Sequence, residues 1–297
     1  MPGETGPWRS EVRRRAAAYA ERLGLPVKAG HPWILSTASE EEALWAPIRE
    51  AARSLGMRWH SRGNLTSSQI MAVDVVLGLS HCNALDILVG TRSTGTPGPE
   101  WQDLADNVLQ EKRPSSIDYL LPTADGPWLL EFKYGEDQPQ PCGTSRKTTV
   151  CKNRGQKWVS DCPLEKHYGT RYMEVLRSPH GPVDLERFAA LAADCPMRTR
   201  EAFQLVRLVS MAWLKGEVEG SQHWHVGIVF PRENGFIAAE VGSVRACLWS
   251  PEILSAITVE ELLDRARSVP SAHAWTKYIE DRYLGRMLAA EDLYQPD

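Results

Sequence analysis

Apolar positions recur along this chain at two spacings. Residues 8 to 24, WRSEVRRRAAAYAERLG, carry them at helical spacing and stop at a glycine. Residues 39 to 56, SEEEALWAPIREAARSLG, repeat the design, with Ser39 as candidate N-cap and acids in the first turn. The stretch 1–58 therefore reads as a helical N-terminal region. At 66 to 80, TSSQIMAVDVVLGLS sets a capping-type Thr or Ser before a long apolar run, which predicts a buried helix. ALDILVG, 84 to 90, fits either a short strand or the tail of that helix. A Gly/Pro/Thr loop follows and leads into a short helix from about Pro99.

The spacing then shortens. SSIDYLL and PWLLEFKYG read as two strands joined by PTADG, a turn signal, and so predict a hairpin. Residues 135 to 171 lack sustained periodicity and hold three of the six cysteines, which marks them as an insertion. Helical spacing resumes at VDLERFAALAAD and at 199 to 216, TREAFQLVRLVSMAWLKG. HWHVGIVFPREN, 223 to 234, reads as a strand running into a turn, and TVEELLDRARS and AHAWTKYIEDRYLGRMLAAEDL are helical. Helices on both sides of a few short strands predict an α/β architecture bordering on α+β, with a core at 59–240 and a C-terminal helical region at 241–297 packed against it.

Within the hairpin, the strand period of two sends Glu131 and Lys133 to one face while Leu130 and Phe132 point into a core. Antiparallel pairing across the 122 to 126 turn would bring Asp118 near Glu131. Two carboxylates and an ammonium would then share a small pocket, where like charges repel. A Mg²⁺ ion relieves that repulsion, since hard divalent cations take carboxylate oxygens and keep waters for a substrate phosphate. Phosphodiester hydrolysis is the chemistry that suits this trio best, with Mn²⁺ as a substitute ion. The alternative, a solvated strand face, is common for acid and lysine two apart, but these charges interrupt strongly apolar runs where an unpaired charge would be costly.

The ID at 117 to 118 followed by EFK at 131 to 133 resembles the active-site signature of the PD-(D/E)XK nucleases, whose fold is restriction-endonuclease-like: a central mixed sheet flanked by helices. Ile117 stands where the signature has proline. WHSRGNLTSSQIMAVDVVLGL, EAFQLVRLVSMAWL and HVGIVFPREN are similar to patterns of a less-characterised bacterial branch. The resemblance implies that Asp118 and Glu131 hold Mg²⁺ and that Lys133 assists the nucleophilic water. Members of that superfamily often add an acid from an early helix, for which Glu42 or Glu50 is available, the alternative being that neither serves.

Four more polar residues are candidates for substrate contact: His60, Gln69, Gln204 and Arg207. Each amide interrupts an apolar helix and needs a partner, and Arg207 would grip a phosphate through two parallel hydrogen bonds. Their alternative roles are to satisfy backbone groups, to close a loop or to face solvent. The insertion adds Arg146, Lys147, Lys152, Arg154 and Lys157 to a segment, 141 to 177, with a local balance of +5 in a chain of net charge -4. That is a candidate backbone-binding footprint, or else a solvated loop. Cys142, Cys151, Cys162 and His167 make an acceptable structural zinc set, with free or packed cysteines as the alternative.

Composition limits the remaining choices. The net charge gives no global attraction to nucleic acid, and no apolar leader or 18-residue apolar run appears, so a cytoplasmic address, no membrane partner and reduced cysteines are expected. The resulting expectation is a Mg²⁺-dependent endonuclease acting on DNA, in restriction, defence or repair, with a homodimer as an option for double-strand cuts. The competing readings are a DNA-binding scaffold that keeps the fold without turnover, and an RNase.

Overall fold

The structure is a computed structural model of the protein and describes residues 6–36, 43–55, 63–112, 114, 116–136, 142, 155–199, 202–220 and 223–285. Helix α1 (Pro7–Arg22) leads into a hairpin of β1 (Val27–Lys28) and β2 (His31–Leu35), then α2 (Arg49–Ser54), α3 (Ser68–His81) and α4 (Asp86–Val89). Strands β3 (Gly98–Trp101), β4 (Ile117–Leu121) and β5 (Trp128–Phe132) follow. Helices α5 (Pro163–Tyr168), α6 (Tyr172–Arg177), α7 (Leu185–Ala190), α8 (Pro196–Thr199) and α9 (Phe203–Glu219) precede β6 (His225–Phe230). The remaining elements are α10 (Gly235–Arg245), β7 (Leu254–Thr258), α11 (Val259–Ala266) and α12 (His273–Leu284).

One five-stranded mixed sheet of order β3-β4-β5-β6-β7 organises the molecule. Its first three strands are antiparallel neighbours, and β5, β6 and β7 run parallel. Parallel neighbours need crossovers, which the chain supplies with α5–α9 between β5 and β6 and with α10 between β6 and β7. Strands covered on both faces should read as continuous apolar runs, and WLLEF is buried at every position. Leu129, Val226 and Ile228 join a core with α6 and α9 on one face. Leu130, Phe132 and Val229 join a second core with α3, α11 and α12 on the other. Each fully buried Leu, Ile or Phe contributes about 1.5–3 kcal/mol, so this double-sided burial fixes the register of β5. No described helix is long and apolar enough to cross a membrane.

Several expectations need correction. The helix expected from about Pro99 is strand β3, paired antiparallel with β4. The 84–90 segment, read as a short strand or the tail of the preceding helix, instead carries a separate short helix, α4. Of the helix expected over 39–56, the described residues form a short 3-10 turn at Ala46–Ile48 and then α2, because Pro47 has no N–H to give and restricts the residue before it; residues 39–42, with the proposed cap Ser39, lie outside the described residues. The 241–297 stretch contributes a strand, β7, as well as helices.

Helix α3 crosses α12 closely. Gly78 has no room for a side chain, since a Cβ there would overlap the Trp275 indole, whose Nε1 donates to the Asp74 carbonyl at 2.9 Å. Gly78→Ala is therefore expected to lower stability by about 2 kcal/mol despite the better helix propensity of alanine, because overpacking outweighs it. Urea unfolding of the two proteins checks this; equal midpoints would show that the α3–α12 contact is looser than it is drawn.

Candidate active site

The hairpin brings together the residues that its period predicts. The β4–β5 ladder runs from Leu121–Trp128 to Tyr119–Leu130, and one step further the Asp118 carboxylate accepts the Phe132 N–H at 2.7 Å. Asp118 and Glu131 thus stand opposite each other at the point where the side chain replaces a backbone acceptor. On β5, Lys133 Nζ donates to Glu131 Oε1 at 2.9 Å, which confirms that the two share a face. The Lys133 N–H bonds Val229 O at 2.8 Å and anchors the lysine to β6. Glu131 and Lys133 are buried and Asp118 is half-buried.

Two of the predicted amides find partners at this centre. Gln204, at the start of α9, donates to Glu131 Oε1, the oxygen that also receives Lys133. Gln69, in the first turn of α3, donates instead to Glu100 Oε1 at 2.5 Å. Glu100 escaped the sequence reading. It lies between the Pro99–Tyr119 and Trp101–Ile117 pairs, and therefore opposite Asp118 on the side away from Glu131. Its φ of +46° is a conformation that glutamate rarely adopts and that concentrates at functional sites. Glu50 is exposed on α2 and Glu42 lies outside the described residues; among the described residues, a third carboxylate at the sheet comes from strand β3.

Glu136 is a second addition. It accepts from Ser68 Oγ and from the Tyr134 N–H, which ties the loop after β5 to the start of α3. Close approach of the two is possible because position 135 is glycine: a Cβ there would lie 2.5 Å from Thr66 O.

Electrostatics follow from this crowding. Burial and then the Glu131 charge push the Asp118 carboxyl well above the usual carboxylate range. Burial works against the Lys133 ammonium, yet the Glu131, Glu136 and Asp118 carboxylates outweigh it and hold its pKa above the ordinary lysine value. Lys133 is thus a cation that keeps its proton.

Asp118 Oδ1 and Glu131 Oε2 accept no hydrogen bond from the described residues, while each partner oxygen is fixed by the protein. Two carboxylates, each held by one oxygen with the other uncommitted, suit a hard divalent ion that takes few protein ligands and keeps water. Groups of three or more metal-capable His, Cys, Asp or Glu are absent among the described residues.

A family model described as "Restriction Endonuclease associating with ARP" matches residues 34–284, most of the chain. The chain belongs to this family. It is a restriction-endonuclease-like branch of the PD-(D/E)XK superfamily, and the mixed sheet with flanking helices is the architecture of that branch. Comparison with curated proteins returned no match, and neither did comparison with solved structures.

The other candidates of this REase-ARP member are placed differently. Arg207 is buried one turn along α9 from Gln204, where its charge acts on Tyr172, whose hydroxyl donates to Glu111. Lys157 is exposed on the short turn Gly155–Val159. Cys142 and Cys162 are buried in one hydrophobic cluster, which also holds Cys195. His60, Arg146, Lys147, Lys152, Arg154 and Cys151 lie outside the described residues, as does the His167 side chain.

Proposed function

We propose that this REase-ARP member is a Mg²⁺-dependent endonuclease that hydrolyses phosphodiester bonds in DNA, with Mn²⁺ able to substitute. The observation that carries the reading is the Asp118–Glu131 pair at the end of a strand pairing, each carboxylate fixed through one oxygen and uncommitted at the other. These two residues would hold the ion. When bound, it supplies a Lewis acid to the phosphate and lowers the pKa of a coordinated water.

The chain's own groups do the rest. The Phe132 N–H orients Asp118, and the Gln204 amide with Lys133 orients Glu131. Lys133 retains its proton and therefore acts as a donor that orients the water and offsets charge growing on the phosphate, rather than as a general base. Glu100, held by Gln69, adds negative potential beside Asp118.

Incubation of supercoiled plasmid with purified protein tests the reading. Nicking or linearisation is expected with Mg²⁺ or Mn²⁺ and none with EDTA. Discrete fragments would indicate sequence specificity, and stronger competition by RNA than by DNA would move the substrate to RNA. Absence of cleavage on plasmid, linear and single-stranded DNA and on RNA would overturn the hydrolase and leave a binding scaffold.

A further inference from the structure

We propose that α1 and the β1–β2 hairpin form a second nucleic-acid contact, a basic strip that grips the phosphate backbone of duplex DNA as it leaves the catalytic carboxylates. The strip begins at the catalytic strand itself. Trp8 Nε1 donates to Tyr134 O at 2.7 Å and Arg9 Nε to Gly135 O at 3.2 Å, so the first turn of α1 is fixed one and two residues beyond Lys133. One helical turn on, Arg13 lies over the Trp33 ring of β2 at 4.8 Å from its centroid, and no described carboxylate pairs with it.

That absence is selective. The neighbouring Arg14 is bonded by Glu11, and Arg15 by Glu11 and Glu233, so these two charges are spent within the protein. The hairpin extends the uncompensated side. Residues 22 to 36 contain Arg22, Lys28 and His31 and no acid. Lys28 and His31 are register partners at the exposed turn, and the His31 ring packs edge-on to Trp33. Among the described residues, Arg22 is the one of these with an ion-pair partner, Asp281.

The strip is also held rigidly against the site. The Leu35 N–H bonds Gly63 O and the Leu65 N–H bonds Trp33 O, both at 2.9 Å, and 63 to 65 leads directly into Ser68 and Gln69 of α3. Arginine stacked on an aromatic ring loses little freedom on meeting a phosphate and presents a flat fork of donors. A chain of net charge -4 needs such a local cationic surface to hold a polyanion at all.

This inference rests on DNA being the substrate, and the test separates the two. Fluorescence anisotropy would follow binding of the full chain to a labelled duplex with Ca²⁺ present, over a range of salt. Variants would be Arg13→Ala, the exposed-site change Lys28→Glu, and Arg245→Glu on the last turn of α10 at the opposite end of the sheet, each checked for folding by circular dichroism. Loss of one phosphate contact should weaken binding about tenfold near 0.1 M salt and flatten the log–log salt dependence by about one. The expected result is that shift for Arg13→Ala and Lys28→Glu and none for Arg245→Glu. Wild-type binding with unchanged affinity and salt slope in both strip variants would overturn the strip while leaving the DNA reading intact. No wild-type binding would overturn the DNA reading and the strip with it.

Discussion

Asp118→Asn is expected to abolish DNA cleavage while leaving the protein folded and at least as stable as before. Asparagine keeps an oxygen that can accept the Phe132 N–H, so the strand pairing survives. It also removes a half-buried carboxyl facing Glu131, whose charge is, after burial, the cause of the raised Asp118 pKa. On the proposed function it removes one of the two carboxylates that would hold the ion, and cleavage should fall by on the order of 10³-fold or more. Lys133→Ala should show a comparable loss of activity with the opposite effect on stability. It strips the Glu131 carboxylate of its ammonium partner inside the protein, at a cost of about 3 kcal/mol. Plasmid nicking rates paired with thermal unfolding check both variants. Asp118→Asn within tenfold of wild-type activity would remove Asp118 from the site, and a marked drop in its Tm would mean that the carboxylate serves the fold rather than the chemistry.

The proximity of the trio at the centre of that prediction was legible because its geometry is local. A short turn between two strands and a side-chain period of two leave little freedom for Asp118, Glu131 and Lys133, so spacing pointed to their proximity and the resemblance to their roles. Gln204 was legible only as a polar interruption of an apolar helix. Its hydrogen bond to Glu131 depends on how the crossover lays α9 along β5, which no local rule encodes. Glu100 was hidden for a different reason. Its strand is four residues long, starts Gly-Pro and bends through a positive φ at the glutamate, so neither alternation nor propensity marks it as extended. The β1–β2 hairpin was missed likewise, its short strands preceded by Pro26 and interrupted by Pro32, with a turn at Gly30. Long elements with strong periodicity, α3 and α9 among them, came through close to their observed limits.

Legibility failed most where burial overrides type, and Asp74 is the clearest case. TSSQIMAVDVVLGLS reads as a buried helix, but nothing in it names the partners that its single, completely buried acid would find. The carboxylate accepts the Trp45 N–H at 2.8 Å, the Tyr278 hydroxyl at 2.7 Å and the Tyr283 hydroxyl at 2.5 Å, so one residue of α3 ties down the segment before α2 and two residues of α12. Arg282, also fully buried, donates to Leu65 O and lies over the Tyr19 and Tyr283 rings, extending the same network to α1 and to the approach to α3. Because α3 carries Ser68 and Gln69 at its first turn, this network also fixes the residues that hold Glu136 and Glu100 beside the candidate site.

Asp74→Ala should therefore cost about 4 kcal/mol, since three donors lose their acceptor in a site closed to water. The pH dependence carries a sharper signature. Burial pushes the Asp74 carboxyl up to about 6 against the lowering influence of its donors, whereas in the unfolded chain it titrates near 3.8. A raised folded-state pKa means that the native protein binds the proton more tightly. The resulting stabilisation is complete below about pH 4 and is lost as pH rises through 6, a change of about 3 kcal/mol. Asp74→Asn keeps an acceptor but cannot titrate. Urea unfolding between pH 4 and 7.5 should thus show the wild type losing stability relative to Asp74→Asn across that window. Parallel curves for the two proteins would mean that Asp74 enters the fold already ionised, with the two tyrosine hydroxyls and Arg282 compensating its charge.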